Sequence, residues 1–228
     1  MTDPSIVFLL DVDDTLLDND RFSAELAQTL VERFGAEEQK RWADIDKGLR
    51  AQYGFADYLG ILQRFRLGLE DHPRILEMSD WLLSYPFDER VYPGTLKALA
   101  YLASLGTPVV LSDGDAVFQP RKLKRAGLWD VLQGRVLIYV HKETQLSQMQ
   151  ARYPADHYVM VDDKLRLLVA MKAELRNRLT TVFVRQGHYA ADSDALLATN
   201  PPDIVIQDVG ELSTIDLERF LSGRLGAT

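Results

Sequence analysis

Six short runs along the chain are apolar almost throughout: residues 6–10, 108–111, 136–140, 158–161, 180–184 and 203–206. They are rich in β-branched and aliphatic residues and do not alternate with polar ones. That is the pattern of strands buried on both faces, as in a parallel sheet covered by helices. Helical stripes lie between most of them. Leu96, Leu99, Ala100, Leu102 and Ala103 form one, stopped by Gly106, and Leu165, Leu168, Val169 and Leu175 form another. Strands and helices in alternation predict an α/β fold with right-handed crossovers.

The rhythm breaks between the first two strands. Residues 17–88 carry no convincing strand, only helical stripes: Phe22, Leu26, Leu30 and Phe34, then Tyr58, Ile61, Leu62 and Phe65. A single crossover needs far fewer residues. The expectation is a helical subdomain over 17–88 inserted into an α/β core made of 1–16 and 89–228. Pro86 and the turn Tyr92-Pro93-Gly94 mark the return to the sheet.

Composition narrows the function classes. The 228 residues are 46% hydrophobic and 26% charged, ordinary for a soluble globular protein. The net charge of −8 disfavours nucleic acid as a partner, because an acidic surface repels a phosphate backbone. An anionic substrate must then meet local positive charge. With no cysteine, disulfides, thiolate catalysis and cysteine-ligated zinc are excluded. No run reaches the roughly 18 apolar residues of a membrane helix, and the N-terminus lacks a basic cluster followed by a long apolar core. The expected setting is cytoplasmic, without a membrane partner.

Parallel-sheet enzymes bind ligands at the carboxyl ends of their strands, so the residues after each run carry the chemistry. Asp11, Asp13 and Asp14 follow the first, Ser112 the second, His141 and Lys142 the third, and Asp162, Asp163 and Lys164 the fourth. A carboxylate can attack phosphorus to give an aspartyl-phosphate, but it repels phosphate, so a cation must stand between them. Mg²⁺ suits such an all-oxygen site, held by one or two carboxylates, substrate oxygens and water. Asp11 and Asp163 would supply those carboxylates. Asp13, two residues beyond Asp11, could protonate the leaving oxygen and later deprotonate water. Ser112 and nearby backbone N–H groups, such as those of Asp113 and Gly114, would hold the transferring oxygens, and Lys142 would neutralise developing charge.

Taken singly, each residue also has a plain reading. Asp and Ser at strand ends serve turns and caps, and Asp162 and Asp163 would suit the N-terminus of the helix that follows. Lys142 alone reads as a surface lysine. His141 and His157, which flank strands, read as structural, and no spacing joins His72 or His188 to a metal cluster. Trp42, Trp81 and Trp129 read as packing residues. Lys47, Arg50, Arg64 and Arg66 could reach a substrate anion, but a solvated helix face is the favoured reading for each.

In combination the motifs resemble the haloacid dehalogenase superfamily over essentially the whole chain. Asp11-Val12-Asp13-Asp14-Thr15 is similar to its Asp-x-Asp-x-Thr motif, Ser112 to the second motif, Lys142 to the third and Asp162-Asp163 to the fourth. The helical insert resembles the family's C1 cap, which closes over the site. The resemblance implies a Rossmann-like sheet of order 5-4-1-2-3, here with a further edge strand, helices on both faces, and strands one and four adjacent. It implies Asp11 as nucleophile, Asp13 as general acid/base, and Lys142 bridging Asp11 to the phosphoryl oxygens. Thr15, Ser112, Asp113 and Gly114 would bind substrate. Mg²⁺ would be held by Asp11, the carbonyl of Asp13, Asp163 directly and Asp162 as a second group. Asp14 stands where the family often has Gly, Glu143 where Pro often follows the lysine, and Lys164 where a small hydroxylated residue is common.

The implied activity is Mg²⁺-dependent hydrolysis of a small phosphorylated metabolite by a monomer or homodimer. A phosphomutase shares all four motifs. A phosphonatase needs a cap lysine, for which only Lys40 and Lys47 stand in the insert. A 2-haloacid dehalogenase usually lacks an acid at the position of Asp13. A non-catalytic binding protein of the same fold would be expected to have lost Asp11 or Asp13.

Overall fold

The computed structural model describes residues 5–191, 193–217 and 221. Its centre is a six-stranded parallel sheet of order β3-β2-β1-β4-β5-β6. The strands are β1 (Ile6–Leu10), β2 (Thr107–Asp113), β3 (Val136–Tyr139), β4 (His157–Asp162), β5 (Leu179–Val184) and β6 (Ile204–Ile206). Every predicted run forms a strand, and β6 adds an edge to the expected order. Val140 and Asp203 fall outside their strands.

Side chains alternate across β1. Phe8 and Leu10 pack into one apolar cluster and Val7 and Leu9 into a second, so both faces are covered. No described helix is long and apolar enough to cross a membrane.

Between β1 and β2 the chain makes four helices: α1 (Asn19–Phe34), α2 (Ala36–Tyr53), α3 (Tyr58–Phe65) and α4 (Arg74–Ser84). Their buried residues follow the expected stripes, with Phe22, Leu26 and Leu30 in α1 and Tyr58, Ile61, Leu62 and Phe65 in α3. The apolar cluster on the Phe8 face runs without a break into these helices. Outgoing and returning chains lie side by side: Asp18 N donates to Arg90 O at 2.8 Å and Tyr92 N to Leu16 O at 3.0 Å.

Along the rest of the chain come α5 (Thr95–Leu105), α6 (Phe118–Arg125), α7 (Leu128–Val131), α8 (Leu146–Arg152), α9 (Leu165–Leu175), α10 (Gly187–Ala191) and α11 (Asp194–Thr199). Helix α5 ends at Gly106 as expected, but its apolar stripe is turned. Thr95, Ala98, Leu99 and Leu102 face inward, while Leu96, Ala100 and Ala103 are exposed. One helical turn cannot bury both sets, and the sheet takes the face that includes Thr95, whose hydroxyl donates to Leu16 O.

Candidate active site

The strand register places the site. Leu10 pairs with Val110 on one side and Val161 on the other. Asp11 therefore emerges between the ends of β2 and β4, and its N–H extends the ladder to Val161 O at 3.0 Å. Asp11, Ser112, Lys142, Asp162 and Asp163 are all buried.

Lys142 lies in a short 3-10 turn after β3, entered through His141 in the left-handed region (φ 58°). Its ammonium donates to Asp11 Oδ1 at 2.6 Å and to Leu111 O at 3.2 Å, and is 2.7 Å from Asp162 Oδ2. Burial disfavours its charge, yet Asp11 and Asp162 outweigh that and push its pKa up. Asp11 is pushed up to about 6, by burial foremost.

The two acids of the fourth motif have different surroundings. Asp162 Oδ1 accepts from Lys164 N at 2.8 Å in the turn that leads into α9, and its other oxygen faces Lys142. Asp163 is fully buried and, among the described residues, neither of its oxygens has a hydrogen-bond partner; nor does Asp11 Oδ2. Burial and the neighbouring Asp162 push Asp163 well above the usual carboxylate range. Ligand atoms of Asp11, Asp162 and Asp163 lie within 4.8 Å of one another. Three unsatisfied carboxylate oxygens on an all-oxygen donor set fit a hard divalent cation, which would satisfy them together.

The remaining expected residues divide. Asp13 lines a small enclosed cavity of about 50 Å³, together with Asp11, Ser112 and Asp113. Ser112 Oγ accepts from Gln119 Nε2 at 3.0 Å. Asp113 Oδ1 accepts from Lys142 N at 2.7 Å, so it shapes the lysine's turn. Thr15 and Gly114 are not among the cavity's lining residues. The Gly114 N–H donates to Tyr139 O at 3.1 Å, and Thr15 Oγ1 is buried without a hydrogen-bond partner among the described residues.

Asp14, where the family often has Gly, takes the conformation a glycine would favour, with φ 58°. Asp tolerates that region better than most residues. Its Oδ1 accepts from both Asn19 N and Asp20 N at 3.0 Å, securing the start of α1. Burial foremost, then the charges of Asp13 and Asp20, push it up to about 7. His188 reaches the same group through Asp20, so Asp14, Asp20 and His188 stand close together, which their sequence spacing does not suggest.

Two cations at the site go beyond what the sequence pattern indicates. Lys122, on α6, is buried and donates to Asp13 Oδ1 at 2.6 Å and Asn19 Oδ1 at 2.9 Å. The rings of Phe87, Phe22 and Phe118 surround it at 5.3–5.8 Å. Burial opposes the Asp13 charge, but Lys122 outweighs it and holds the Asp13 pKa below its usual value. The available signal is its position: Lys122 shares the inward stripe of α6 with Phe118, Gln119 and Leu123. Arg50, expected on a solvated helix face, instead lines the cavity from α2. Lys47, Arg64 and Arg66 are exposed as expected. Lys164 also lines the cavity, with its ammonium 4.8 Å from the Tyr189 ring centre.

Residues 7–173 match the family described as haloacid dehalogenase-like hydrolase. The chain belongs to that family. A haloacid dehalogenase-like hydrolase from Burkholderia xenovorans is 53% identical, with 93% of this chain and 99% of that chain covered and a TM-score of 0.87. More distant structures share the fold. The hydrolase YfnB from Bacillus subtilis, solved bound to magnesium, has 16% identity, 92% and 98% coverage and a TM-score of 0.63. L-2-haloacid dehalogenase from Xanthobacter autotrophicus, solved with chloropropionic acid covalently bound, has 17% identity, 93% and 98% coverage and a TM-score of 0.59. Among curated proteins the chain finds no match. It is thus an enzyme of a hydrolase family, with an acidic cluster of the kind that takes a divalent metal in this fold.

Proposed function

We propose that this hydrolase is a Mg²⁺-dependent phosphomonoesterase that works through an aspartyl-phosphate at Asp11. The observation that carries the reading is the buried trio Asp11, Asp162 and Asp163, in which both Asp163 oxygens and Asp11 Oδ2 lack a hydrogen-bond partner among the described residues. Asp11 and Asp163 would be direct ligands, with the Asp13 carbonyl; Asp162, engaged by Lys142 and by Lys164 N, would stand behind them. When bound, the metal offsets the repulsion between the carboxylates and an incoming phosphoryl group.

The chain's own residues supply the rest. The Asp11 carboxylate attacks phosphorus and the bond to the leaving oxygen breaks, with Asp13 delivering the proton that oxygen takes up. A water deprotonated by Asp13 then attacks the aspartyl-phosphate, releasing phosphate and restoring Asp11. Lys142 holds Asp11 in position and meets charge on the transferring oxygens, and Ser112 binds one of them. Residues 17–88 act as a cap, contributing Arg50 and Phe55 to the cavity wall.

Purified protein with Mg²⁺ should release phosphate from para-nitrophenyl phosphate, and Asp11→Asn should abolish release. Silence over a broad phosphoester panel, with chloride released from 2-chloropropionate in the presence of a chelator, would replace this reading with a dehalogenase. Isomerised phosphate ester in place of free phosphate would point to a mutase.

A further inference from the structure

Arg50 stands at the junction of two cavities. One is the small cavity over Asp11. The other, about 390 Å³, lies beside it and shares Ser23, Arg50, His188 and Tyr189 with the first. That volume lies in the range of small-molecule sites. Its lining is mixed, with Leu26, Leu30 and Trp42 beside Ser23, Gln39 and Asp46.

The guanidinium is only partly used. Nε donates to both Asp46 oxygens at 2.9 Å, and the Arg50 side chain makes no other hydrogen bond among the described residues. This leaves the edge formed by its two terminal nitrogens, the pair whose parallel N–H groups match the two oxygens of a carboxylate or phosphate. A second group beside it is also unsatisfied. Tyr58 is buried and lines the larger cavity beside Ser23; its hydroxyl makes no hydrogen bond of good geometry among the described residues, and Arg50 lies close enough to act on it electrostatically. Asp46 fixes the stem of Arg50 and leaves the fork for a ligand.

We propose that Arg50, with the Tyr58 hydroxyl, forms a second oxyanion site, so that the preferred substrate is a phosphomonoester carrying a further carboxylate or phosphate on its leaving group. The first phosphoryl group sits over Asp11, the body of the leaving group enters the larger cavity, and its oxyanion takes the free edge of Arg50. The inference builds on the phosphomonoesterase reading, but its test does not depend on turnover.

The test is binding to Asp11→Asn protein by calorimetry, using matched pairs: 3-phosphoglycerate against glycerol 1-phosphate for the carboxylate, and fructose 1,6-bisphosphate against fructose 6-phosphate for the phosphate. A charge-assisted bidentate contact of roughly 1.5–3 kcal/mol corresponds to roughly 10–150-fold tighter binding of the doubly anionic member in at least one pair. Whichever pair shows it identifies the oxyanion. The preference should collapse in Asp11→Asn/Arg50→Met and survive in Asp11→Asn/Asp46→Asn, which removes the ion pair but keeps an oxygen for Nε and leaves the fork. Should Arg50→Met fail to fold, Arg50→Lys, which keeps the charge and loses the fork, should weaken the preference. Equal affinities within both pairs, or a preference that persists without Arg50, overturns the proposal. Tight, Arg50-dependent binding with no phosphate release by the unmutated protein would overturn the phosphatase reading and leave the second oxyanion site standing.

Discussion

The Lys122 ammonium lies 2.6 Å from Asp13 Oδ1, inside a box of three phenylalanine rings. Lys122 is itself buried, so the pair is poorly screened, and its charge is why the Asp13 pKa falls despite burial. A carboxylate kept ionised is prepared to take a proton from water, the second half of the proposed reaction. Lys122→Met keeps an apolar stem among the rings and removes the charge. The limb of the pH–rate profile that belongs to Asp13 should move to higher pH by on the order of one unit. An unmoved profile would mean that Lys122 only packs. Below the unfolded carboxylate pKa the pair's contribution to stability declines; above it the contribution is fully present, and it is lost as pH falls through the depressed folded value.

The partnerless oxygens of Asp163 and Asp11 give a second expectation. With no cation, three buried acids face two lysines, Lys142 and Lys164, and like charges crowd Asp163. Mg²⁺ at about 100 times its dissociation constant should stabilise the fold by ~2.7 kcal/mol, roughly 5–10 °C in Tm for a chain of this size. Asp163→Asn should erase the response, and in chelator it should melt above the parent. Calorimetry with and without EDTA measures both, and a Tm indifferent to Mg²⁺ would remove the metal from the mechanism.

Much of this site was legible because the informative residues follow apolar runs directly. Asp11 and Asp163 each stand one residue beyond a strand, Ser112 is the last residue but one of β2, and Lys142 stands three residues beyond β3, and a parallel sheet collects such positions at one rim. Lys122 and Arg50 were not legible for a common reason. Each is a cation on a helix, where local pattern reads as solvent, and only packing between distant segments turns it inward. Leu96 is the converse case, an apolar residue whose burial the neighbouring sheet denies. Asp14 was visible as a departure from the family pattern, but its positive φ and its two bonds to the start of α1 needed coordinates.

Asp14 should also leave a mark on stability. Its pKa rises from 3.8 to about 7 on folding, so between these values the folded chain holds a proton that the unfolded chain has lost. Stability therefore falls as pH rises across that window. An asparagine side chain could still accept from Asn19 N and Asp20 N but cannot ionise. Asp14→Asn should accordingly gain on the parent as pH goes from 4 to 7, by on the order of 2–4 kcal/mol at the upper end. Urea denaturation at pH 4, 5.5 and 7 in chelator measures the difference. A constant offset would mean that Asp14 is ionised throughout.

Asp14 is coupled to Gly187 at the start of α10. Gly187 has φ 68°, and a side chain there would overlap the Asp14 Cβ and carboxyl. Alanine would thus meet two penalties, backbone strain of about 1 kcal/mol or more and a steric clash against a residue bonded to α1. The strain belongs to Gly187 alone, whereas the clash belongs to the pair. Asp14→Gly removes the obstructing side chain at the cost of its bonds to α1, about 1 kcal/mol. Combined with Gly187→Ala it should therefore cost less than the sum of the single changes, with a coupling of about 1 kcal/mol or more. Because α10 brings His188 and Tyr189 to the cavity wall, Gly187→Ala should also weaken substrate binding, and Asp14→Gly should restore part of it. Strict additivity in denaturation would show that α10 can shift away from Asp14 freely, and the cavity wall it forms would then be adjustable and not fixed.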